Sequence, residues 1–263
     1  MSLVWRKQIV LPAEHGSWSW LLVPFLVGVG VAGVWNTAVS LTLLGSLAAF
    51  LMRQPATVWL RVRQGRANKA NAPIARAWVL LFGTIASLCL IGLLLSNHLA
   101  LLWLLLPIGG ILLVYITAVR QRRSLGMELA GAAGLAVTSA AVLIVVDGRF
   151  STTALILWLL LAAQNALGAL YVRLRIADTH KREMGRTAVL IPHLLTFLLL
   201  LAAGFLNIAP LLAALPFLGF LLRAAWLWSQ PRPIANIKRF GFAEIGVELI
   251  SGLILILSYQ LRQ

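Results

Sequence analysis

Apolar residues in this chain fall into nine runs, each close to the length a helix needs to cross a bilayer, with short polar interruptions between them. A hydrocarbon core of about 30 Å takes about 20 residues at 1.5 Å per residue. The runs at 17–35, 38–60, 74–95, 99–119, 125–146, 150–172, 187–206, 208–228 and 241–261 meet that length. They predict an all-α, polytopic transmembrane bundle of about nine helices. No internal repeat, low-complexity stretch or separable soluble unit interrupts them, so residues 1–263 read as one transmembrane domain.

The interruptions alternate in character. Those after the odd-numbered runs are tiny: Trp35-Asn36-Thr37, Ser96-Asn97-His98, Asp147-Gly148-Arg149 and Asn207. Those after the even-numbered runs are basic and mostly longer: Arg61 to Arg76, Arg120 to Arg123, Arg173 to Arg186, and Gln230 to Arg239. Of the 22 Lys and Arg residues, all but Arg149 and Arg262 fall on the side of the longer loops. The positive-inside rule then predicts a cytoplasmic N-terminus and an external C-terminus. The start MSLVWRKQIVLPAEHG lacks the short apolar core and small-residue cleavage site of a signal peptide, so no cleaved leader is expected.

Composition agrees with the pattern: 61% of residues are apolar and 11% charged, which no water-exposed fold carries. The formal charge of +15 would point to nucleic acid in a soluble protein. Here it is accounted for by topology, so no nucleic-acid partner is expected and membrane lipids are. The lone Cys89 forms no intrachain disulfide. Small residues at Gly28, Gly30 and Gly33, and at Gly126, Ala130, Gly131 and Gly134, read as places where helices approach closely. Prolines 24, 107, 192, 210 and 216 lie within or near the runs, where neighbouring helices must satisfy the carbonyls they free.

Six of the seven acids, Glu14, Glu128, Asp178, Glu183, Glu244 and Glu248, lie on the basic side, although the topology rule does not ask for them there. Glu244 and Glu248 share a helix face one turn apart, with Glu248 about 10 Å inside. Gln164, Asn165, His193 and Arg223 sit at comparable depth. An ionisable group there costs a few kcal/mol if it faces lipid, so these side chains are expected to point inward. Two outcomes stay open: they pair with one another, for example Arg223 with Glu244 or Glu248, or they line a ligand pocket. Two stretches are more specific. Residues 11–18 place Glu14 and His15 at the membrane boundary, suited to proton transfer or to an interfacial cap. The segment 171–183 carries Arg173, Arg175 and Asp178, suited to a phosphate group or to anionic lipid heads.

The stretch Pro12-Ala13-Glu14-His15-Gly16-Ser17-Trp18, the segment Met52-Arg53-Gln54-Pro55, the 173–183 loop and His193 together resemble the YwiC-like family of bacterial membrane proteins, over nearly the whole chain. That resemblance implies a membrane protein without implying a reaction. Nine helices with long basic-side loops after the second and sixth are also similar to the UbiA superfamily of intramembrane prenyltransferases. That likeness implies a lipid-open cavity and two Asp-rich loops that hold Mg²⁺ and an isoprenyl diphosphate, since Mg²⁺ is a hard cation bridging carboxylates to phosphate oxygens. This chain departs from that pattern: the first loop, 61–71, has no acid, and the second keeps only Asp178 and Glu183 amid bases.

Three functions follow as expectations. The leading one is a UbiA-like bundle, without a cofactor or bound metal, whose polar pocket on the basic side binds an isoprenoid or other amphiphile, or an anionic head group. The candidate ligand-binding residues are Arg53, Arg61, Arg76, Asn165, Arg173, Arg175, His193, Arg223, Glu244 and Glu248. The second is a divergent prenyl or lipid transferase with Glu14, His15 or Asp178 as base, the one case in which Mg²⁺ would enter. The third is a proton-coupled transporter working through Glu244 and Glu248.

Overall fold

The end of the bundle away from the basic loops shows why the short turns suffice. Gly33, Asn97, Gly148 and Asn207 all adopt left-handed backbone, at φ 66°, 68°, 69° and 56°. Glycine and asparagine reach that region most cheaply, and one such residue both ends a helix and reverses the chain. Helix starts are equally local: the side chains of Asn36, Ser151 and Asn236 accept from the backbone N–H of Val39, Ala154 and Arg239.

The structure, a computed structural model, describes residues 5–12, 16–106, 108–110 and 125–262. Among them the chain is helical, with no strand. After a single turn at Lys7–Val10 come α1 (Gly16–Ala32), α2 (Thr37–Arg63), α3 (Ala72–Leu95), a 3-10 segment at Leu99–Leu104, α4 (Leu125–Leu135), α5 (Val137–Asp147), α6 (Thr152–Thr179), α7 (Thr187–Phe205), α8 (Ala214–Trp228) and α9 (Ile237–Gln260). Among the described residues seven spans are long and apolar enough to cross a membrane, α4 and α5 counting as one. Shorter apolar helices at Gly16–Ala32 and Leu99–Gly110 stand where the first and fourth predicted spans lie. Glu14 and His15 fall outside the described residues, as do the bases from Arg120 to Arg123.

Span six runs further than its apolar stretch. Its helix continues to Thr179, since no Pro or Gly interrupts residues 169–179, and Arg173, Arg175 and Asp178 therefore stand on a helix rather than in a loop. Span five is broken at Ala136, whose N–H bonds to the Ala133 carbonyl three residues back and not to that of Ala132.

Packing puts two spans at the centre. Over their most apolar windows, α4–α5 and α6 are each 56% buried, against 17% for α3 and for α7, so the former form the core and the latter face lipid. Hairpin α2–α3 packs on the core through α5; α1 lies against α5 and α9, and α7 against α8. Gly28 makes the α1–α5 approach possible: a Cβ there would stand 2.9 Å from the Ser139 carbonyl oxygen and 3.0 Å from its Cα. Gly30 and Gly252 serve the α1–α9 contact in the same way, against Ile256 and Val27. A Cβ at Gly131 would meet nothing within 4 Å, so close packing is not the role of that glycine. Gly28→Ala is thus expected to cost about 1–3 kcal/mol, because the obstructing atoms are backbone. Gly131→Ala should be neutral or stabilising by up to about 1 kcal/mol. Thermal unfolding midpoints of the two variants in detergent check this, and equal midpoints would refute the assigned contact.

Candidate functional site

The interior polar groups begin with a consequence of Pro24. Proline has no N–H, so the carbonyl four residues earlier in α1, that of Trp20, lacks its intrahelical donor. The break at Ala136 orphans the Ala132 carbonyl in the same manner. Asn165, at mid-length in α6, meets both: its Nδ2 donates to Trp20 O at 3.0 Å and to Ala132 O at 2.9 Å. Thr138 and Ser139 donate to other carbonyls at the kinks, Leu21 O, Leu135 O and Ala136 O. A single amide thus joins two kinked helices to the central one, in a place with no water to substitute.

Trp20 links that junction to Glu248. Its indole Nε1 donates to Glu248 Oε1 at 3.0 Å, and Ser19, whose hydroxyl donates to Gly16 O at 2.8 Å, stands close to this carboxylate. Glu248 is 7% exposed, and its backbone carbonyl accepts from Gln164 at 3.5 Å. Gly168 borders the carboxylate, and a Cβ there would stand 3.8 Å from Oε1, an ordinary contact. Three oxygens in this region have no hydrogen-bond partner among the described residues, namely Glu248 Oε2, Gln164 Oε1 and Asn165 Oδ1.

Toward the basic end, Glu244 pairs with Arg223 of α8 at 2.8 Å, both side chains about 15% exposed. Arg223 lies over the rings of Tyr171 and Phe220, at 4.2 and 4.4 Å. Arg175 lies over Phe240 at 5.0 Å and donates to the Tyr171 hydroxyl at 3.2 Å. Guanidinium groups set on ring faces keep a favourable electrostatic contact while shedding water. On α7, His193 is fully buried; its Nδ1 meets Val189 O at 2.7 Å, and since a carbonyl only accepts, Nδ1 carries the hydrogen. In the neutral ring Nε2 is then an acceptor, and it has no partner among the described residues.

The remaining candidates stand elsewhere. Asp178 is a latch: Oδ1 pairs with Arg186 and Oδ2 accepts from the Arg232 backbone N–H at 2.8 Å, while Arg186 also donates to the carbonyls of Leu227 and Gln230. These contacts tie the end of α6 to the loop before α9. Arg173 pairs with Glu128 of α4 at 2.9 Å. Arg53, Arg61 and Arg76 are exposed on α2 and α3. The site therefore gathers Asn165, Arg175, Arg223, Glu244 and Glu248, with His193 near Arg223, and the hairpin arginines belong to another face.

Sequence reading passed over Trp20, Ser19, Arg186 and the rings of Phe220 and Phe240. A signal for one was present: Trp20 stands four residues before a mid-helix proline. Another was the spacing Gln164, Gly168, Tyr171, Arg175, which puts one polar and aromatic stripe on α6 opposite Phe240, Glu244 and Glu248 on α9.

Mg²⁺ on a diphosphate takes one or two carboxylates per ion, with phosphate oxygens and water completing its shell, and the prenyltransferase pattern supplies them from two Asp-rich loops. Both oxygens of Asp178 are engaged, and among the described residues no three His, Cys, Asp or Glu side chains come together. The described residues do not fit a metal-diphosphate centre of the kind the prenyltransferase likeness implies.

No curated protein and no solved structure matches the chain. A family model described as YwiC-like protein matches residues 11–146, which takes in α1 to α5 and leaves out the α6–α9 part of the seam. The chain, an all-helical polytopic membrane protein, belongs to the YwiC-like family.

Proposed function

We propose that the seam between α6 and α9, closed by α1, α7 and α8, holds the polar head of a membrane amphiphile within a UbiA-like bundle, without metal-diphosphate chemistry. The bundle sits in a bacterial inner membrane with the N-terminus and the basic end cytoplasmic, so the ligand enters from the cytoplasmic leaflet. Glu248 carries the reading: a carboxylate 7% exposed, anchored through Oε1, whose Oε2 has no partner among the described residues. Leaving such an oxygen unbonded costs free energy that a bound donor recovers.

The chemistry of the head follows from what is free. Glu248 Oε2, Gln164 Oε1, Asn165 Oδ1 and His193 Nε2 all accept in the neutral-imidazole state; of the bases, Arg223 is paired with Glu244, and the unpartnered Nε–H groups of Arg175 and Arg223 belong to guanidinium groups set on aromatic rings toward the basic end. Beside the Glu248 carboxylate an anionic head meets like charge, whereas a head with hydroxyl or ammonium hydrogens supplies the donors these acceptors lack. The favoured ligand is therefore a hydrogen-bond-donating amphiphile.

Mass spectrometry of lipids that copurify with the protein in mild detergent tests this. Wild type should retain a hydroxyl- or ammonium-bearing amphiphile above its bulk abundance, and Glu248→Gln should lower retention by about tenfold, the value of one charge-assisted hydrogen bond. Identical lipid profiles for the two proteins would refute the site. An isoprenoid alcohol among the retained species would extend the prenyltransferase likeness to the ligand.

A further inference from the structure

We propose a second site, independent of the seam, at the opposite end of the bundle: a phosphate-binding site formed by the N-terminus of α6, the turn after α7 and the last turn of α9. An open cavity there is lined by Thr152, Thr153, Asn207, Tyr259 and Arg262, with Ile156 and Ile208.

Each wall contributes a donor. Helix α6 runs from Thr152 to Thr179, and its first N–H groups have no intrahelical acceptor. Ser151 caps the helix by accepting from Ala154, which leaves the N–H groups of Thr152 and Thr153 at the cavity. Such a helix start favours negative charge. Tyr259 is 7% exposed, lines the cavity, and its hydroxyl has no partner among the described residues. Arg262 donates to the carbonyls of Ile208 and Asn207, which fix its guanidinium at the rim and use two of its five N–H groups.

Charge at this end is sparse, which makes the position of Arg262 informative. Arg149 is the other base on this side. The one acid, Asp147, accepts from the capping Ser151 Oγ at 3.5 Å and is not among the residues lining the cavity. An arginine, a tyrosine whose buried hydroxyl has no partner among the described residues, and a helix start border one cavity, and their donors match the oxygens of a phosphate group, which accept from several directions. That group belongs to a lipid head in the adjoining leaflet or to free phosphate; the recognition chemistry is the same.

The test uses the full chain in detergent. One arm titrates inorganic phosphate by calorimetry, and the other adds phosphatidylglycerol and counts retained lipids by native mass spectrometry. Phosphate binding identifies a free anion, and lipid retention alone identifies a head group. In whichever arm binds, Arg262→Gln and Tyr259→Phe should each weaken binding by about tenfold, as loss of a hydrogen bond to a charged group does. Should Arg262→Gln fail to fold, Tyr259→Phe decides, since removing an unpartnered hydroxyl breaks no native bond. Binding in neither arm, or binding that Tyr259→Phe leaves unchanged, overturns the proposal.

Discussion

Asn165→Ala is expected to lower stability by roughly 2–4 kcal/mol, one of the largest effects of any single side chain in this protein. The cost comes from two carbonyls. Both hydrogens of Nδ2 are used, one on Trp20 O and one on Ala132 O, and neither acceptor has an intrahelical donor. Removing the amide leaves two buried acceptors unsatisfied, each costing about 1–3 kcal/mol, with some relief from helix relaxation. Asn165→Asp should be no better, because a carboxylate has no hydrogen to give. A double-mutant cycle isolates the cause. Pro24→Ala restores an N–H to α1 and hence a donor for Trp20 O, so Pro24→Ala with Asn165→Ala should lose about 1 kcal/mol less than the sum of the single changes. Thermal or SDS unfolding of the four proteins measures it. Additivity within about 0.5 kcal/mol would mean that Asn165 does not act through the carbonyl that Pro24 frees.

Seven of the nine predicted spans, and the short turns, were legible in the sequence because they rest on local chemistry; the first span is a shorter helix, and much of the fourth lies outside the described residues. Length against bilayer thickness fixes where helices run, and Gly33, Asn97, Gly148 and Asn207 reverse the chain by their own backbone preferences. The extension of α6 was hidden, since a charged helix end beyond the apolar stretch carries no mark in hydropathy. The break at Ala136 was hidden as well: Gly134-Leu135-Ala136 contains no proline, and what holds the kink open is Asn165, Thr138 and Ser139 satisfying carbonyls at the two kinked helices. The inward positions of Asn165, His193 and Glu248 could be read from depth alone, because the cost of facing lipid leaves few choices. Partners could not. Asp178 looks like a ligand for metal or phosphate in the linear chain, and only the fold brings Arg186 and the Arg232 N–H to its two oxygens.

The pair Arg223–Glu244 offers the second large effect and bears on the head group proposed for the seam. Arg223→Met should cost about 3 kcal/mol, the lower end for a broken buried ion pair, because each side chain keeps about 15% of its exposure. Loss of the contacts with Tyr171 and Phe220 adds about 1 kcal/mol. Most of the cost comes from stranding Glu244, so Arg223→Met with Glu244→Leu should recover the larger part of it. Unfolding midpoints in one detergent test the order: single variant lowest, double variant between it and wild type. The converse change, Glu244→Gln, leaves Arg223 with its charge no longer balanced at the mouth of the seam, flanked by rings that exclude water. Copurified lipids should then shift toward anionic head groups, while Glu248→Gln should instead lose the donor-bearing ligand. If Glu244→Gln stabilises no anionic lipid, the mouth is closed to head groups and the pair only locks α8 to α9.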